Sequence, residues 1–264
     1  MVFNLSKVRF SLNDKRRKIV VPRILTEELA EDIGFHLGDG YLGDYSTPSN
    51  PHKYELTYSG HAIDEKSYYY NVLNKRKYKL FKIKPRIYIK NNNISARILS
   101  KALLTYFRDV LGVICGNKLR GTIPSIIMES QKKIKIAFIR GLFDADGTLT
   151  FLKKYKKVHY YPRVSIELIS KSIVYSLAKL LKELNIKFCL SSKLTKRNGI
   201  LCKEQFCINI NGNKNAIKYI KLIGFSNPKF VTKYKIWKRY GFCPPQKNIE
   251  QYKKILTGDL EPYG

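Results

Sequence analysis

The sequence predicts an α+β protein of two αββαββα repeats related by a pseudo-two-fold axis, with two antiparallel sheets meeting as one long saddle. Three observations predict it. A short pattern occurs twice, as Gly34-Phe35-His36-Leu37-Gly38-Asp39-Gly40 and as Gly141-Leu142-Phe143-Asp144-Ala145-Asp146-Gly147. Landmarks after each copy keep step: Asp39 to Gly112 spans 73 positions, and Asp146 to Gly224 spans 78. Between these landmarks, several segments alternate polar and apolar residues with the period of two expected of a half-buried strand.

Residues 1–25 are basic and read as irregular, with Lys15-Arg16-Arg17-Lys18 as a charge run. Thr26 reads as an N-cap, acids fill the first turn, and the helix carries on to Asp39. Gly34 and Gly38 are four apart and share one helical face, as do Gly141 and Ala145. Such a bare face lets two helix backbones approach closely. Glycine inside a helix costs about 1 kcal/mol relative to alanine, so a compensating contact is expected. Gly40 and Gly147 read as the residues that end the helices. Asp39 and Asp146 then sit at helix C-termini, where the carbonyls already carry partial negative charge. Packed side by side, the two helices would bring two acids and two negative ends together, and that cluster needs a cation. His36, Asp32 and Asp144 read as packing or structural groups.

Strands are expected at 41–45 and 53–59, and a helix at 64–80. The segment Lys84-Pro85-Arg86-Ile87-Tyr88-Ile89-Lys90 is the most informative strand. Lys84, Arg86, Tyr88 and Lys90 fall on one face, and Ile87 and Ile89 on the other. Asn91-Asn92-Asn93 reads as a turn, followed by a strand at 94–99 and a helix from Lys101 that ends at Gly112. The second half repeats the order, with strands at 148–152 and 158–168 and a helix at 172–184. A strand pair follows at 188–195 and 204–209 around a turn near Asn198-Gly199, and then a helix at 215–223. Lys193, Thr195 and Arg197 share a face there. The expected units are 1–25 as a basic segment, 26–124 and 125–231 as the repeats, and 232–264 as a C-terminal extension.

Charge is the outlier of the composition. Fifty Lys and Arg against 20 Asp and Glu leave +30 at pH 7, an excess that repels itself unless a polyanion is the partner. A membrane surface is disfavoured because the basic residues fall on strands rather than on one amphipathic helix. No apolar run is long enough to span a bilayer, and no secretory leader pattern opens the chain, so an intracellular location is expected. The five cysteines show no C-x-x-C pair, which argues against a disulfide framework or a zinc site.

The duplicated pattern resembles the LAGLIDADG motif, and the chain resembles the single-chain, two-motif homing endonucleases. The second copy matches closely. In the first, Leu37 stands where the family often has an acid, while Asp39 keeps the last acid. The resemblance implies a monomeric, site-specific endonuclease on double-stranded DNA that leaves short 3′ overhangs. It assigns Asp39 and Asp146, with the carbonyls of Gly38 and Ala145, to Mg²⁺, and Mn²⁺ or Ca²⁺ can occupy the same sites. It also implies one catalytic lysine per half, matched by Lys118 before Thr122-Ile123-Pro124 and by Lys229 after Gly224, with Lys101 as a competitor. Lys84, Arg86, Tyr88, Lys90, Arg97, Arg163, Lys193, Thr195 and Arg197 are the candidate DNA contacts. Without the terminal His-Asn of an intein, the chain reads as intron-encoded or freestanding, with no obligate protein partner. Two alternatives stay open: a maturase that binds intron RNA, and a non-catalytic DNA binder on the same fold.

Overall fold

The structure, a computed structural model, describes residues 2–47, 50–117, 119, 121–194, 196–197 and 200–263. A short helix, α1 (Leu12–Arg16), precedes the repeats. The first repeat begins with α2 (Glu27–Asp39), capped by the Thr26 side chain, which accepts from the Leu29 amide. It continues through β1 (Gly40–Thr47) and β2 (Asn50–His61). The next helix runs as α3 (Lys66–Tyr68), a π turn at Tyr69–Leu73 and α4 (Asn74–Phe81). Strands β3 (Arg86–Lys90) and β4 (Asn93–Leu99) lead to α5 (Lys101–Thr105), prolonged by a π turn at Tyr106–Val110. One turn of helix, α6 (Ser125–Met128), connects the repeats. The second repeat has α7 (Lys132–Asp146), β5 (Gly147–Leu152), β6 (Tyr161–Leu168), α8 (Lys171–Glu183) and β7 (Cys189–Lys193). A small ribbon of β8 (Lys196–Arg197) with β9 (Ile200–Leu201) leads to β10 (Gln205–Asn211) and α9 (Asn213–Leu222).

The two sheets are copies of one another. Their strand orders are β1-β2-β4-β3 and β5-β6-β10-β7, and every pairing is antiparallel. The register agrees as well. Gly40, just past α2, faces Tyr58, and Gly147, just past α7, faces Ile166. One face of each sheet is covered by helices and buries Leu42, Leu56, Tyr58, Ile94, Ala96 and Ile98 in the first half. Leu149, Val164, Ile166, Ile208 and Ile210 do the same in the second. The other face is polar, as an antiparallel sheet permits.

The halves join through α2 and α7, and the glycines explain how. A Cβ on Gly34 would lie 2.1 Å from the Phe138 carbonyl oxygen, and one on Gly141 would lie 1.9 Å from the Glu31 carbonyl oxygen. Each oxygen belongs to the residue three before the other helix's glycine, so the contact is reciprocal and displays the pseudo-two-fold axis. Polar groups border it: Glu31 accepts from Arg76, from Arg140 at 3.1 Å and from the Ser226 hydroxyl at 2.7 Å. Behind it, the fully buried Lys77 donates to Asp32 at 2.8 Å and to the Tyr58 hydroxyl. Asp144 accepts from the Ser226 and Asn227 amides. His36 is buried, with Nδ1 3.0 Å from the Tyr58 hydroxyl. Asp32, Asp144 and His36 are thus engaged in holding this joint.

Several expectations need correction. The helices end at Gly40 and Gly147 as expected, but neither glycine is left-handed: both have φ −79° and are extended. Glycine is required there for space instead, since a Cβ would meet the His36 carbonyl at 2.6 Å and the Phe143 carbonyl at 2.4 Å. The N-terminal segment is not irregular. Its helix α1 has a complete capping box, and the Asp14 carboxylate is buried against the Ala102 amide. Strand β3 starts after Pro85, which has no amide to donate, so Lys84 lies outside it. Helix α6 and the β8–β9 ribbon are additions to the expected elements.

The largest departure is α10 (Pro228–Tyr240), a helix that runs through the expected boundary at 231/232. With α11 (Ile249–Thr257) it packs on the second repeat, where Trp237 donates to the Tyr160 carbonyl at 2.7 Å and stacks on Phe151. The same pair reaches the first repeat through Asp64, which accepts from the Ile249 amide at 3.0 Å. No helix among the described residues is long and apolar enough to cross a membrane. The five cysteines carry free thiols.

Candidate active site and nucleic-acid interface

Asp39 and Asp146 are the last residues of α2 and α7, and both are half-buried. The glycine contact that fixes the two helices also fixes these acids. A Cβ on Gly38 would lie 2.4 Å from the Ala145 Cβ and 3.0 Å from Asp146 Oδ2. The Asp146 carboxylate therefore reaches across the helix interface and rests over the residue beside Asp39. Two small residues are what make room for it. The carbonyls of Gly38 and Ala145 lie in the last helical turns, whose oxygens point out of the helix ends. Two acids and two carbonyl-bearing ends thus gather where the packed helices end and the edge strands β1 and β5 begin.

Oxygen is the donor type on offer at this spot. Among the described residues no group of three or more His, Cys, Asp or Glu is arranged to hold a metal. The donor set suits a hard divalent cation that keeps most of its ligands as water or phosphate oxygens. Tyr69 is a neighbour that the sequence reading missed. Its buried hydroxyl has no hydrogen-bond partner among the described residues, and burial, then the charges of Asp39 and Glu65, hold its pKa far above the usual range. Glu65, also missed, accepts from the His61 amide at 2.7 Å. Both lie in a segment expected to contribute only packing, so no local signal marked them.

The lysine expectations fare differently. Lys118 and Thr195 lie outside the described residues. Lys229 lies in the first turn of α10, and its ammonium is 2.7 Å from Asp64 Oδ2. It therefore ties the second repeat to the first. Lys101 sits at the start of α5 with its ammonium 5.2 Å from the Tyr54 ring centre. Lys233 was not singled out. It donates to the Leu149 carbonyl at 3.0 Å, and burial pushes its pKa down to about 8.

The polar sheet faces gather most of the other candidates. Arg86, Tyr88 and Lys90 are exposed along β3, and Arg97 is directly opposite Arg86 on β4. Lys84 does not join them, because its ammonium sits 5.5 Å from the Tyr78 ring centre on the helix layer. On the second sheet, Arg163 donates through Nε to the Asn211 side chain at 2.7 Å, and Lys193 pairs with Glu167 at 2.6 Å. Arg197 belongs to the β8–β9 ribbon beyond β7. The face also holds a residue that the sequence reading missed. Glu55 on β2 is buried amid the polar face, accepting from Tyr45 at 2.6 Å, from Thr57, and from Arg97 Nε at 2.8 Å.

Comparison with known proteins agrees with this geometry. The family model described as LAGLIDADG-like domain matches residues 133–224, which include the second motif and its sheet. The first repeat carries the same sheet topology and the reciprocal half of the helix contact. Among solved structures, a variant of the homing endonuclease I-DmoI is 20% identical with a TM-score of 0.55, covering 75% of this chain and 95% of that one. I-DmoI in complex with DNA and Ca is 18% identical with a TM-score of 0.56, covering 79% and 97%. A point mutant of I-SmaMI is 13% identical with a TM-score of 0.53, covering 89% and 95%. At these identities the likeness establishes the fold. Sequence relatives include an uncharacterized protein of Methanocaldococcus jannaschii, 28% identical over 97% of this chain and 25% of its own length. The tRNA-splicing ligase RtcB of Pyrococcus furiosus is 26% identical over 91% of this chain and 26% of its own. The chain thus spans about a quarter of the length of these curated relatives.

Proposed function

We propose that this chain is a divalent-metal-dependent, site-specific endonuclease acting on double-stranded DNA as a monomer. Its two repeats, the first within residues 26–124 and the second from residue 125 through α9, each bind one half of a long target. The observation that carries the reading is the placement of Asp39 and Asp146. Reciprocal glycine packing draws the ends of α2 and α7 together, and both acids sit at that junction of helix ends, from which β1 and β5 set out. A duplex lying along the saddle would pass its backbone over that junction.

Asp39 and Asp146, with the carbonyls of Gly38 and Ala145, would hold the cation, Mg²⁺ in the ordinary case and Mn²⁺ or Ca²⁺ in its place. A divalent ion bound there supplies Lewis-acid polarisation of the phosphate and lowers the pKa of a coordinated water. The chain's own part is positional. The packed helix ends fix the carboxylates against a shape-determined gap, and basic side chains on both sheets hold the phosphates in register. Two pseudo-equivalent sites cut both strands and leave short 3′ overhangs. That the solved relatives include complexes with DNA and with Mn or Ca supports this reading.

The test begins with selection of bound sequences from a randomised duplex library in Ca²⁺, followed by incubation of the enriched duplexes in Mg²⁺. Wild-type protein is expected to cut them. Asp39→Asn and Asp146→Asn are each expected to keep binding and to lose cleavage, by more than the roughly 10–100-fold typical of changes around a metal's outer shell. Binding without cleavage by the wild type, or cleavage undiminished in both variants, would refute the proposal.

A further inference from the structure

The two sheet faces share a register, so each residue on one has a counterpart on the other. Tyr58 faces Gly40 and Ile166 faces Gly147, and counting three residues back along each strand reaches Glu55 and Arg163. Both lie on the polar faces, since Tyr58 and Ile166 point to the helix side. Equivalent places in the two half-saddles thus hold opposite charges.

Each forms a distinct arrangement. Glu55 is only 3% exposed, although it lies on the face turned away from the helices. Tyr45 and Thr57 donate hydroxyl hydrogens to it, Arg97 Nε lies 2.8 Å away and Lys53 3.4 Å. Burial pushes the Glu55 carboxyl up, but these hydroxyls and cations more than offset it and hold it below the usual range. It is an anion at neutral pH. Gly43, directly opposite, leaves room for the cluster: a Cβ there would lie 2.7 Å from the Tyr41 ring and 2.8 Å from that of Tyr45. In the second sheet Arg163 leans on Asn211 instead, and the counterpart of Arg97 is Asn209.

An acid set among the cations of a surface meant for phosphates would be a liability if affinity were its purpose. Its partners are the groups that a base-reading surface must hold still. An arginine anchored through Nε keeps its terminal nitrogens as the donors that guanine O6 and N7 accept, and asparagine suits adenine. We propose that Glu55 is a positioning residue for sequence recognition: it fixes Arg97, Lys53 and Tyr45 as the reading surface of the first half-site. Arg163 with Asn211 and Asn209 makes a different one for the second. The target is then unlike in its two halves at this register.

This inference rests on the DNA-binding part of the proposed function and not on cleavage. It is tested by selecting bound sequences from a randomised duplex library in Ca²⁺ with wild type, Glu55→Gln and Glu55→Asp, with melting temperatures measured alongside. Glu55→Gln is expected to lose base preference by about ten-fold or more at one or two adjacent positions of one half-site only. It is also expected to bind non-specific duplex more tightly, because Arg97 and Lys53 lose their anionic partner. Glu55→Asp, which keeps the charge, is expected to restore part of the preference. Unchanged preference in Glu55→Gln, or a uniform loss in both half-sites that follows a lower melting temperature, would overturn the inference alone. Enrichment of no sequence by the wild type would overturn the proposed function together with it.

Discussion

A methyl group added at residue 141 has nowhere to go. It would fall 1.9 Å from the Glu31 carbonyl oxygen, and the matching methyl at residue 34 would fall 2.1 Å from that of Phe138. Neither oxygen is the tip of a side chain that can rotate away, so the two helices themselves must part. At an exposed helical site, glycine to alanine gains up to about 1 kcal/mol. Here the sign should reverse. Gly141→Ala and Gly34→Ala are each expected to destabilise the protein by about 3 kcal/mol or more, read as a fall in the urea midpoint. A neutral or stabilising result would mean that the interface has slack. These glycines were legible in the sequence because their spacing repeats. Glu55 was not, because its meaning lies in Tyr45, Thr57, Lys53 and Arg97, which come from three strands and carry no common signal.

Elements were legible where one face is apolar and the other polar. The strands and helices of both repeats follow the expected order, and Gly112 and Gly224 close their helices with φ of 72° and 71°. Helix α10 was obscured by its many lysine, arginine and tyrosine residues, which blur the apolar stripe that buries Phe230 and Ile236. Its N-terminus was visible in principle, as Asn227 caps and Pro228 opens the first turn. What this helix does is cover an edge. Strand β5 ends its sheet, and Lys233 from α10 donates to the Leu149 carbonyl on that strand. The cost is a buried amine whose pKa falls to about 8. With the unfolded value near about 10.4, the unfolded chain binds more protons than the native one between those limits. Stability therefore rises with pH across that window. Relative to Lys233→Met, the wild type is expected to gain about 1.5 kcal/mol between roughly pH 8 and pH 9.5. Urea unfolding at the two pH values checks this, and parallel pH profiles for the two proteins would count against it.

At the scale of the whole molecule, several of the acids serve the fold. Glu31 bridges the halves, Asp32 neutralises Lys77, Asp64 holds Lys229, and Glu183 pairs with Lys135 on the helix layer. With 20 acids against 50 bases, committing these few to the scaffold leaves the sheet faces richer in cations. Arg86 and Lys90 on the outermost strand of the first sheet are exposed. Such a surface binds a polyanion mainly by releasing its counterions, so affinity should track salt far more steeply than it tracks sequence. If the duplex meets roughly 6–10 phosphates, binding is expected to weaken about 10³–10⁵-fold between roughly 50 and 200 mM salt. Arg86→Ala and Lys90→Ala should each lower the log–log slope by about one where they touch phosphate, without changing which sequences are preferred. Glu55→Gln should do the reverse, leaving the slope as steep or steeper while preference is lost. Titration of a fluorescent duplex at several salt concentrations separates the two roles. A flat salt dependence would show that the net charge of +30 faces something other than a nucleic-acid backbone.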